Sequence, residues 1–377
     1  MTSKIGLTGG GTGGHRIPLV AVCQELHAQN AAAKLFYVGS SADCQSPEIK
    51  GLAIPTYTVA AGKLRRYFDW ATFGDVIRVW QGFWQARRIL KEQHPIVLFS
   101  KGGFVSVPVV LAAATLRIPI ITHESDVVMG LANRISSRFA RTICTAYPIE
   151  HYRSLPKQKL VMTGNLIRHE LVVAAKKSPT AKSGYTVGGR AVASGKPSIV
   201  VLGGSQGAHR INELVAALLP QLLPTFTVIH QSGSGDAEWL QQKRQALPAE
   251  LKTAYFPIAS LNVDELGSAL AAAFIIISRA GSVISELALF GKPTVLIPLS
   301  SSAGGHQLRN ATIYANKNAA VLLTEEHLTS GKLLSTLQKL YKDEPYRQSL
   351  EKNLQRLREK NGSAAVAKLL LAYYEQK

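Results

Sequence analysis

Cysteine is scarce in this sequence, and its placement excludes two classes of protein. The 377 residues include three cysteines, Cys23, Cys44 and Cys144, which lie far apart. A scattered, odd-numbered set predicts no disulfide framework, and it lacks the short spacings of a metal site. We therefore expect a protein of a reducing compartment that has no cysteine-bound metal.

Long uninterrupted apolar runs are also missing. The longest, Val105 to Ile121, is broken by Ser106, Pro108, Arg117 and Pro119. A membrane-spanning helix needs about 20 consecutive apolar residues, so this run predicts no span. The first residues do not have the pattern of a signal peptide either.

Acidic residues are few relative to basic ones. The chain has 24 Asp and Glu against 43 Lys and Arg, which gives a formal charge of +19. Such an excess favours anionic partners: acidic lipid, phosphorylated substrates or nucleic acid. Because the basic residues are spread over both halves, with no basic tail or nucleic-acid-binding motif, we do not expect nucleic acid as the partner.

The sequence does contain a regular alternation of apolar strands and helical patterns. This alternation is typical of α/β proteins with parallel sheets, and 377 residues predict two domains. A polar stretch, Lys176 to Pro197, separates two series of strands. The predicted strands are Ile5–Leu7, Leu35–Val38, Ile96–Phe99, Ile118–Thr122 and Thr142–Thr145, then Ser198–Leu202, Phe226–Gln231, Ala254–Phe256, Ala273–Ser278 and Thr294–Pro298.

A glycine-rich loop, Thr8 to His15, joins the first strand to the first helix. Glycine lets the backbone approach a diphosphate, and the helix start offers N–H groups to an anion. A dinucleotide site would need an acid at the end of the second strand, but the nearest, Asp43, lies past it. We expect the loop to bind a diphosphate and His15 to accept a proton.

Further polar turns follow other strands, so their residues should gather at the carboxyl edges of the sheets. In the first half these are Lys101 to Phe104 and His123 to Asp126; in the second, Gly203 to Ile211 repeats the first loop at six of nine positions. Matching entrance loops imply two Rossmann-like halves around a cleft. Glu286, one turn into a helix that Ser282 caps, suits ribose hydroxyls, and Gln307 and Asn310 suit sugar hydroxyls.

Eight motifs together make the resemblance specific. The chain resembles the MurG family, the bacterial GlcNAc transferases of cell-wall synthesis, over nearly its full length. The motifs are GGGTGGH (9–15), KGGFVS (101–106), HESD with GLAN (123–133), TGNLIR (163–168), GGSQGA (203–208), HQSG (230–233), SRAGSVISE (278–286) and HQLRNA (306–311).

The resemblance implies a GT-B fold, in which two Rossmann-like domains face their parallel sheets across a cleft. It places the first domain at 1–164 plus about 346–377, a linker at 165–197 and the second domain at 198–345. The implied reaction moves GlcNAc from UDP-GlcNAc to the 4-hydroxyl of MurNAc on undecaprenyl-diphosphate-linked muropeptide. It proceeds with inversion, and it converts lipid I to lipid II in peptidoglycan synthesis on the cytoplasmic face of the membrane.

The same resemblance assigns roles to individual residues. His15 and Glu124 are the expected catalytic residues, and no metal site is implied. The residues expected to bind UDP-GlcNAc are Thr12, Gly13, Gly14, Asp126, Asn165, Arg168, Ser205, Gln206, Val263, Ser282, Val283, Glu286, Gln307 and Asn310. Those expected to bind the acceptor are Gly11, Lys101, Gly102, Gly103 and Phe104. Two positions depart from the family: Asp126 replaces a neutral amide, and Phe274 replaces an aspartate, where we expect a packing change.

A basic, aromatic stretch at 63–91 bears on the lipid-linked acceptor. Ile77, Trp80, Phe83 and Trp84 share or adjoin one helical face, and basic residues flank it. That composition fits a helix lying on an anionic membrane surface, or a core helix with a solvated basic side. The lipid acceptor favours the membrane.

Three other functions remain open at this point. The chain fits another GT-B glycolipid glycosyltransferase, a UDP-GlcNAc 2-epimerase, or a non-catalytic membrane-bound subunit that binds a nucleotide sugar. An epimerase needs no lipid acceptor, so the basic aromatic stretch disfavours it. A complete donor pattern together with His15 disfavours the non-catalytic subunit.

Overall fold

The computed structural model describes residues 3–30, 32–62, 71–176, 184–193, 195–203, 208–358 and 361–375. The chain divides into two compact units, a first unit of Met1–His169 with Lys360–Lys377 and a second unit of Glu170–Glu359. The second unit therefore contains residues 346–359, which the sequence assigned to the first domain. Each unit is built on its own parallel sheet.

The first unit is a doubly wound α/β domain with a parallel seven-stranded sheet in the order β3-β2-β1-β4-β5-β6-β7. Its strands are β1 Lys4–Thr8, β2 Lys34–Gly39, β3 Thr56–Thr58, β4 Pro95–Ser100, β5 Ile120–Glu124, β6 Thr142–Thr145 and β7 Leu160–Met162. Its first six helices are α1 Gly13–Gln29, α2 Ser41–Cys44, α3 Pro47–Lys50, α4 Ala71–Gln93, α5 Ser106–Thr115 and α6 Leu131–Phe139.

The second unit repeats this plan with a parallel six-stranded sheet in the order β12-β11-β10-β13-β14-β15, beside a small antiparallel hairpin, β8-β9. Its strands are β8 Tyr185–Val187, β9 Arg190–Val192, β10 Ser198–Leu202, β11 Thr227–Gln231, β12 Tyr255–Ile258, β13 Ala273–Ser278, β14 Thr294–Leu296 and β15 Val321–Leu322. Its helices are α7 His169–Lys176, α8 His209–Leu222, α9 Ala237–Gln245, α10 Ala249–Lys252, α11 Val263–Ala272, α12 Val283–Phe290, α13 His306–Asn316, α14 Ser330–Lys342 and α15 Glu344–Arg356.

The chain ends on the first unit, with helix α16 at Gly362–Glu375. Val366, Ala367 and Leu370 of this helix are fully buried in the core that α1 forms on the sheet. Gly362 allows the close approach, since a side chain there would overlap the carbonyl of Gly164. The last helix therefore completes one face of the first unit, while α4, α5 and α6 cover the other.

All ten predicted strands are present, which confirms the α/β prediction. The sequence missed β3, β7 and β15, which have two or three residues each and lie at sheet edges. Edge strands are half-exposed and short, so their apolar runs are too weak to recognise. The hairpin β8-β9 lies inside the predicted linker. It turns at Gly188 and Gly189, both with positive φ.

The expected packing change at Phe274 is confirmed. Its ring packs against Tyr341, with ring centroids 5.9 Å apart, and the Arg347 guanidinium lies over it at 4.6 Å. Phe226 completes the cluster at 6.5 Å. An apolar ring at the start of β13 therefore anchors α14 and α15 to the second sheet.

Candidate functional site

The glycine loop of the first unit is shaped by close packing on all sides. A side chain at Gly10 would overlap the carboxylate of Asp43, and one at Gly11 would overlap the ring of Phe104. Gly103, with φ of 82°, fits against the carbonyl of Gly10 in the same way. The turns after β1 and β4 therefore interlock through glycine, which brings the first predicted loop beside the Lys101–Phe104 turn.

The side chain of Asp43 forms hydrogen bonds that fix this loop. Its Oδ1 accepts hydrogen bonds from the Gly11 N–H at 2.9 Å and from Arg16 Nη1 at 3.1 Å, and Ser40 Oγ donates to Oδ2. The Asp43 side chain is 1% exposed. The Gly11 N–H is therefore bound within the protein, and the acceptor contact predicted for Gly11 stays a prediction.

His15 lies half-buried in the first turn of α1. Its Nδ1 is 2.9 Å from the hydroxyl of Thr12, the residue that precedes the helix. Thr12 makes no side-chain cap bond to the helix, so its hydroxyl is used on the histidine. The contact fixes the ring, and it links the tautomer of His15 to the direction of the hydroxyl hydrogen.

Lys101 is a buried cation next to the glycine turns. It is 2% exposed, and its backbone N–H donates to the Thr8 carbonyl at 2.9 Å. Burial lowers the pKa of its ammonium group, whereas the charges of Glu124 and Asp126 act in the opposite direction. A buried cation is costly unless negative charge lies close to it, so this position suits an anionic ligand in addition to the two carboxylates.

Glu124 holds together the turn that leads into α6. Its carboxylate accepts hydrogen bonds from the N–H groups of Asp126 and Gly130 at 3.0 and 3.1 Å, and from Asn133 Nδ2 at 3.0 Å. Burial raises its pKa, with Asp126 adding to the shift. Three internal donors fix the Glu124 carboxylate in place, and its catalytic role stays a prediction. Asn133, whose motif was recognised without a role, is part of the same network.

His123 and Asn165 join this turn to the end of the first unit. His123 Nε2 lies 3.0 Å from the Gly164 carbonyl, and burial lowers the histidine pKa to about 3. Asn165 is 1% exposed, and its Oδ1 accepts a hydrogen bond from Ser125 Oγ at 2.8 Å. The structure therefore places Asn165 in the interior, where it supports the turn. Arg168, three residues on, is half-buried.

The second glycine loop lies largely outside the described residues, and so do the predicted donor residues Ser205 and Gln206. In the described residues, a polar network connects the start of α8 to the residues in and after β11. Asp236 accepts from Asn212 Nδ2 at 2.6 Å and lies 2.9 Å from His209 Nδ1. Asn212 also contacts the buried His230, at 2.9 Å from Nε2. This network was not predictable from local patterns, because its members are 18 to 27 residues apart.

Val263 is the first residue of α11, where the backbone is well fixed. Asn262 and Glu265 form a reciprocal capping box at this helix start. Glu265 also accepts a hydrogen bond from the N–H of Gly188 at 2.8 Å, so the hairpin β8-β9 is attached here. These contacts fix the backbone that the family resemblance assigns to the uracil.

Helices α12 and α13 carry the remaining donor residues. Ser282 and Val283 begin α12, although Ser282 makes no side-chain cap bond, and Glu286 follows one turn on at 8% exposure. Gln307 Oε1 accepts from the Leu299 N–H at 3.0 Å. Asn310 is fully buried and donates to the Ala280 carbonyl at 3.1 Å, so its side chain connects α13 to the loop before α12.

The aromatic face of α4 is exposed. Ile77, Trp80 and Trp84 are 55%, 61% and 52% exposed, so the core-helix interpretation is wrong for them. Trp80 and Phe83 stack with centroids 5.8 Å apart. A cavity of about 520 Å³ opens beside them, lined by Val76, Val79, Trp80, Phe83, Leu111, Ala114, Thr115 and Phe139.

The described residues contain neither a metal-binding cluster nor a membrane-spanning helix. No group of three or more His, Cys, Asp or Glu side chains there is arranged to hold a metal ion. Within the same ranges, no helix has both the length and the hydropathy needed to cross a bilayer.

Comparison with known proteins gives a consistent result. Residues 5–145 match the glycosyltransferase family 28 N-terminal domain, and residues 198–368 match its C-terminal domain. A UDP-N-acetylglucosamine–N-acetylmuramyl-(pentapeptide) pyrophosphoryl-undecaprenol N-acetylglucosamine transferase of Lachnospira eligens is 40% identical over 342 residues, covering 90% of this chain and 91% of that protein.

Solved structures with the same fold include two kinds of protein. MurG of Acinetobacter baumannii has a TM-score of 0.70 at 23% identity, covering 99% of this chain and 100% of its own. The UDP-GlcNAc 2-epimerase of Neisseria meningitidis, solved with UDP-GlcNAc bound, has a TM-score of 0.64 at 13% identity, with full coverage of both chains. These likenesses establish the GT-B fold predicted from the sequence, and they do not separate a transferase from an epimerase.

Proposed function

The chain belongs to glycosyltransferase family 28, and from this we propose that it transfers GlcNAc from UDP-GlcNAc to the 4-hydroxyl of MurNAc on undecaprenyl-diphosphate-linked muropeptide. The 40% identity to a transferase of that name over 90% of the chain supports the substrates. The observation that carries the chemistry is the pairing of an oriented histidine, His15, with a buried lysine, Lys101, around backbone made of glycine.

His15 is the general base of the proposed reaction. With Nδ1–H donating to the Thr12 hydroxyl, Nε2 carries a lone pair for the acceptor proton. The acceptor oxygen attacks the anomeric carbon as the bond to UDP breaks, its proton passes to His15, and the configuration inverts. General base help of this kind is typically worth about 10²–10⁴-fold in rate.

The acceptor diphosphate binds, in this proposal, at the turn after β4. Lys101 supplies a buried positive charge, and Gly102, Gly103 and Phe104 form the turn beside it, in which the two glycines pack closely against Asn133 and Gly10. A diphosphate would add negative charge next to the Lys101 ammonium group. The attraction between an anion and this lysine is stronger than at the surface, because the position is poorly hydrated.

The donor binds to the second unit. We assign the ribose to Glu286, the diphosphate to the start of α12 at Ser282 and Val283, and the uracil to backbone at Val263. Gln307 holds the GlcNAc through Nε2, because Oε1 is taken by Leu299. Ser205 and Gln206 complete the donor site, and charge on the departing UDP is offset by helix N-termini without a metal.

The exposed face of α4 attaches the enzyme to the cytoplasmic side of the membrane. Trp80 and Trp84 present aromatic surface, and Arg78 and Arg88 beside them are 67% and 84% exposed. Aromatic side chains favour the membrane interface, and arginine is attracted to anionic lipid. A peripheral enzyme held there would meet its lipid-linked acceptor in two dimensions.

One assay tests the reaction. UDP release from UDP-GlcNAc is followed with and without a lipid I analogue, with UDP-glucose as the control donor. We expect release that requires the acceptor and is at least tenfold slower with UDP-glucose. Conversion of UDP-GlcNAc to UDP-ManNAc without acceptor and without net UDP release would identify an epimerase. Binding of UDP-GlcNAc with neither release nor conversion would identify a non-catalytic subunit.

A further inference from the structure

Arg279 follows β13 in the SRAG segment, four residues before the start of α12. Arginine beside a diphosphate is commonly a phosphate ligand. Here the side chain is 13% exposed, and it is bound inside the protein. Its Nη1 donates to Glu325 Oε1 at 2.6 Å and to the Ile297 carbonyl at 3.1 Å.

Glu325 comes from a different part of the second unit, just after β15. It too is 13% exposed, and its second oxygen accepts from the Ser300 N–H at 2.8 Å. Burial alone would raise the pKa of Glu325, but the bonds from Ser300 and Arg279 hold it below its usual range. The carboxylate therefore balances the guanidinium charge, and the two groups form a closed, hydrogen-bonded pair.

The pair joins three loops at the carboxyl edge of the second sheet. Arg279 lies after β13, Ile297 and Ser300 after β14, and Glu325 after β15. Two neighbouring contacts extend the connection. The N–H of Leu299 donates to Gln307 Oε1 at 3.0 Å, and Asn310 Nδ2 donates to the Ala280 carbonyl at 3.1 Å. The placement of α12 and the orientation of Gln307 thus depend on the same pair.

We propose that Arg279 and Glu325 are a positioning pair for the nucleotide-sugar donor: they fix the loops that carry Ser282 and Gln307 without touching the diphosphate. This inference rests on the donor function proposed for the second unit. It gives Glu325 a role in donor binding, and it means that Arg279 does not bind the phosphate groups itself.

The two roles of Arg279 make opposite predictions for Glu325. If Arg279 positions loops, removing the Glu325 charge disrupts the same loops and weakens donor binding. If Arg279 binds phosphate, removing the Glu325 charge frees the guanidinium, and donor binding stays the same or tightens. Glu325→Gln therefore separates the two roles, because glutamine keeps the shape and loses the charge.

The experiment measures kcat, the KM for UDP-GlcNAc and the KM for a lipid I analogue, with UDP affinity by calorimetry. For Glu325→Gln we expect a donor KM raised about tenfold, the usual cost of a charged hydrogen bond, a kcat reduced less than threefold and an unchanged acceptor KM. Glu344→Gln is the matched control, because Glu344 pairs with Arg347 in the same unit at 4.0 Å and is 65% exposed.

The double variant gives a second readout. Arg279→Ala and Glu325→Ala together should raise the donor KM no more than Arg279→Ala alone, since residues of one network act as a unit. Should Glu325→Gln fold poorly, as judged by circular dichroism, Glu325→Asp replaces it, with the same direction and a smaller change. A donor KM that is unchanged or lowered in Glu325→Gln or Glu325→Asp would overturn the proposal, and so would additive effects.

The failure of the two proposals can be told apart. A wild-type enzyme that does not release UDP with the lipid I analogue contradicts the proposed transferase. A wild-type enzyme that turns over, with a Glu325→Gln variant of equal donor KM and equal UDP affinity, contradicts the positioning pair alone.

Discussion

The carboxylate of Asp43 accepts a hydrogen bond from the backbone N–H of Gly11 at 2.9 Å. An acidic side chain of the protein thus occupies a position where a Rossmann-type loop binds the phosphate of its ligand. Arg16 Nη1 lies 3.1 Å from Asp43 Oδ1 and balances its charge, so the Gly11 N–H and the carboxylate that it binds both have partners within the protein. The first glycine loop is thereby fixed as a support for His15, which agrees with the proposal that the nucleotide binds to the second unit.

We expect Asp43→Asn to lower both stability and turnover. Asparagine keeps the volume but loses the charge that faces Arg16, and one of its two polar atoms can no longer accept a hydrogen bond. The loss should be about 2 kcal/mol in unfolding free energy, as for a buried charged hydrogen bond. Because the loop carries His15, kcat should also fall, while the KM for UDP-GlcNAc stays near wild type. Urea denaturation and steady-state kinetics measure both.

Glu48→Gln is the control for this prediction. Glu48 contacts the same Arg16 at 3.6 Å, but it is 30% exposed, so its loss should cost about 0.5 kcal/mol or less. Equal effects of the two variants would show that Asp43 acts only through Arg16 and not on the loop.

Thr12 should matter through its hydroxyl alone. Thr12→Val keeps the shape, removes the partner of His15 Nδ1 and releases the ring and its tautomer. We expect kcat to fall about tenfold, whereas His15→Ala should lose about 10²–10⁴-fold, the full contribution of a general base. Thr12→Ser keeps the hydroxyl and should remain within about threefold of wild type. If Thr12→Val turns over like wild type, the contact does not orient the base.

The sequence predicted the strands and the loops at their carboxyl edges because both depend on local patterns. Ser198–Leu202 and Ala273–Ser278 even match the observed bounds. The partners inside the loops were not predictable, because they are distant in sequence. Gly11 and Asp43 are 32 residues apart, and Arg279 and Glu325 are 46 apart.

Periodicity also cannot tell which face of a polar helix points inward. Gln307 and Asn310 lie three residues apart in α13, as predicted, and their binding of sugar hydroxyls stays a prediction. The structure buries Asn310 completely and uses it on the Ala280 carbonyl. Glu124 is a similar case, since a carboxylate at a strand end suggested catalysis and the three N–H donors around it are supplied by the fold.

Replacing Trp80 and Trp84 with serine should weaken binding to vesicles that contain anionic lipid. Both side chains are more than half exposed, and burying an aromatic ring in the interface is worth on the order of 1–3 kcal/mol. We expect a loss of at least tenfold for the double variant by vesicle co-sedimentation. The control is Val161→Ser with Met162→Ser, which removes exposed apolar side chains from β7 of the same unit. Equal losses in both pairs would mean that α4 is not the membrane contact.

Two fully buried histidines should make the protein sensitive to mild acid. Burial lowers the pKa of His123 and of His230 to about 3. In the unfolded chain a histidine has a pKa near 6.5, so between about pH 6.5 and 3 the unfolded state binds protons that the native state does not. Stability rises with pH wherever the unfolded state binds more protons, so it should fall as the pH is lowered through this window.

The urea midpoint should therefore be clearly lower at pH 5 than at pH 7.5, with each histidine contributing up to about 1.4 kcal/mol per pH unit. His230→Gln retains hydrogen-bonding groups for Asn212 and Tyr255 but does not titrate. It should make the pH dependence shallower by about one proton, even if it lowers stability at pH 7.5. His27→Gln, at an exposed position, should leave the slope as in wild type. An equally steep slope in His230→Gln would mean that the buried imidazole takes up its proton without unfolding.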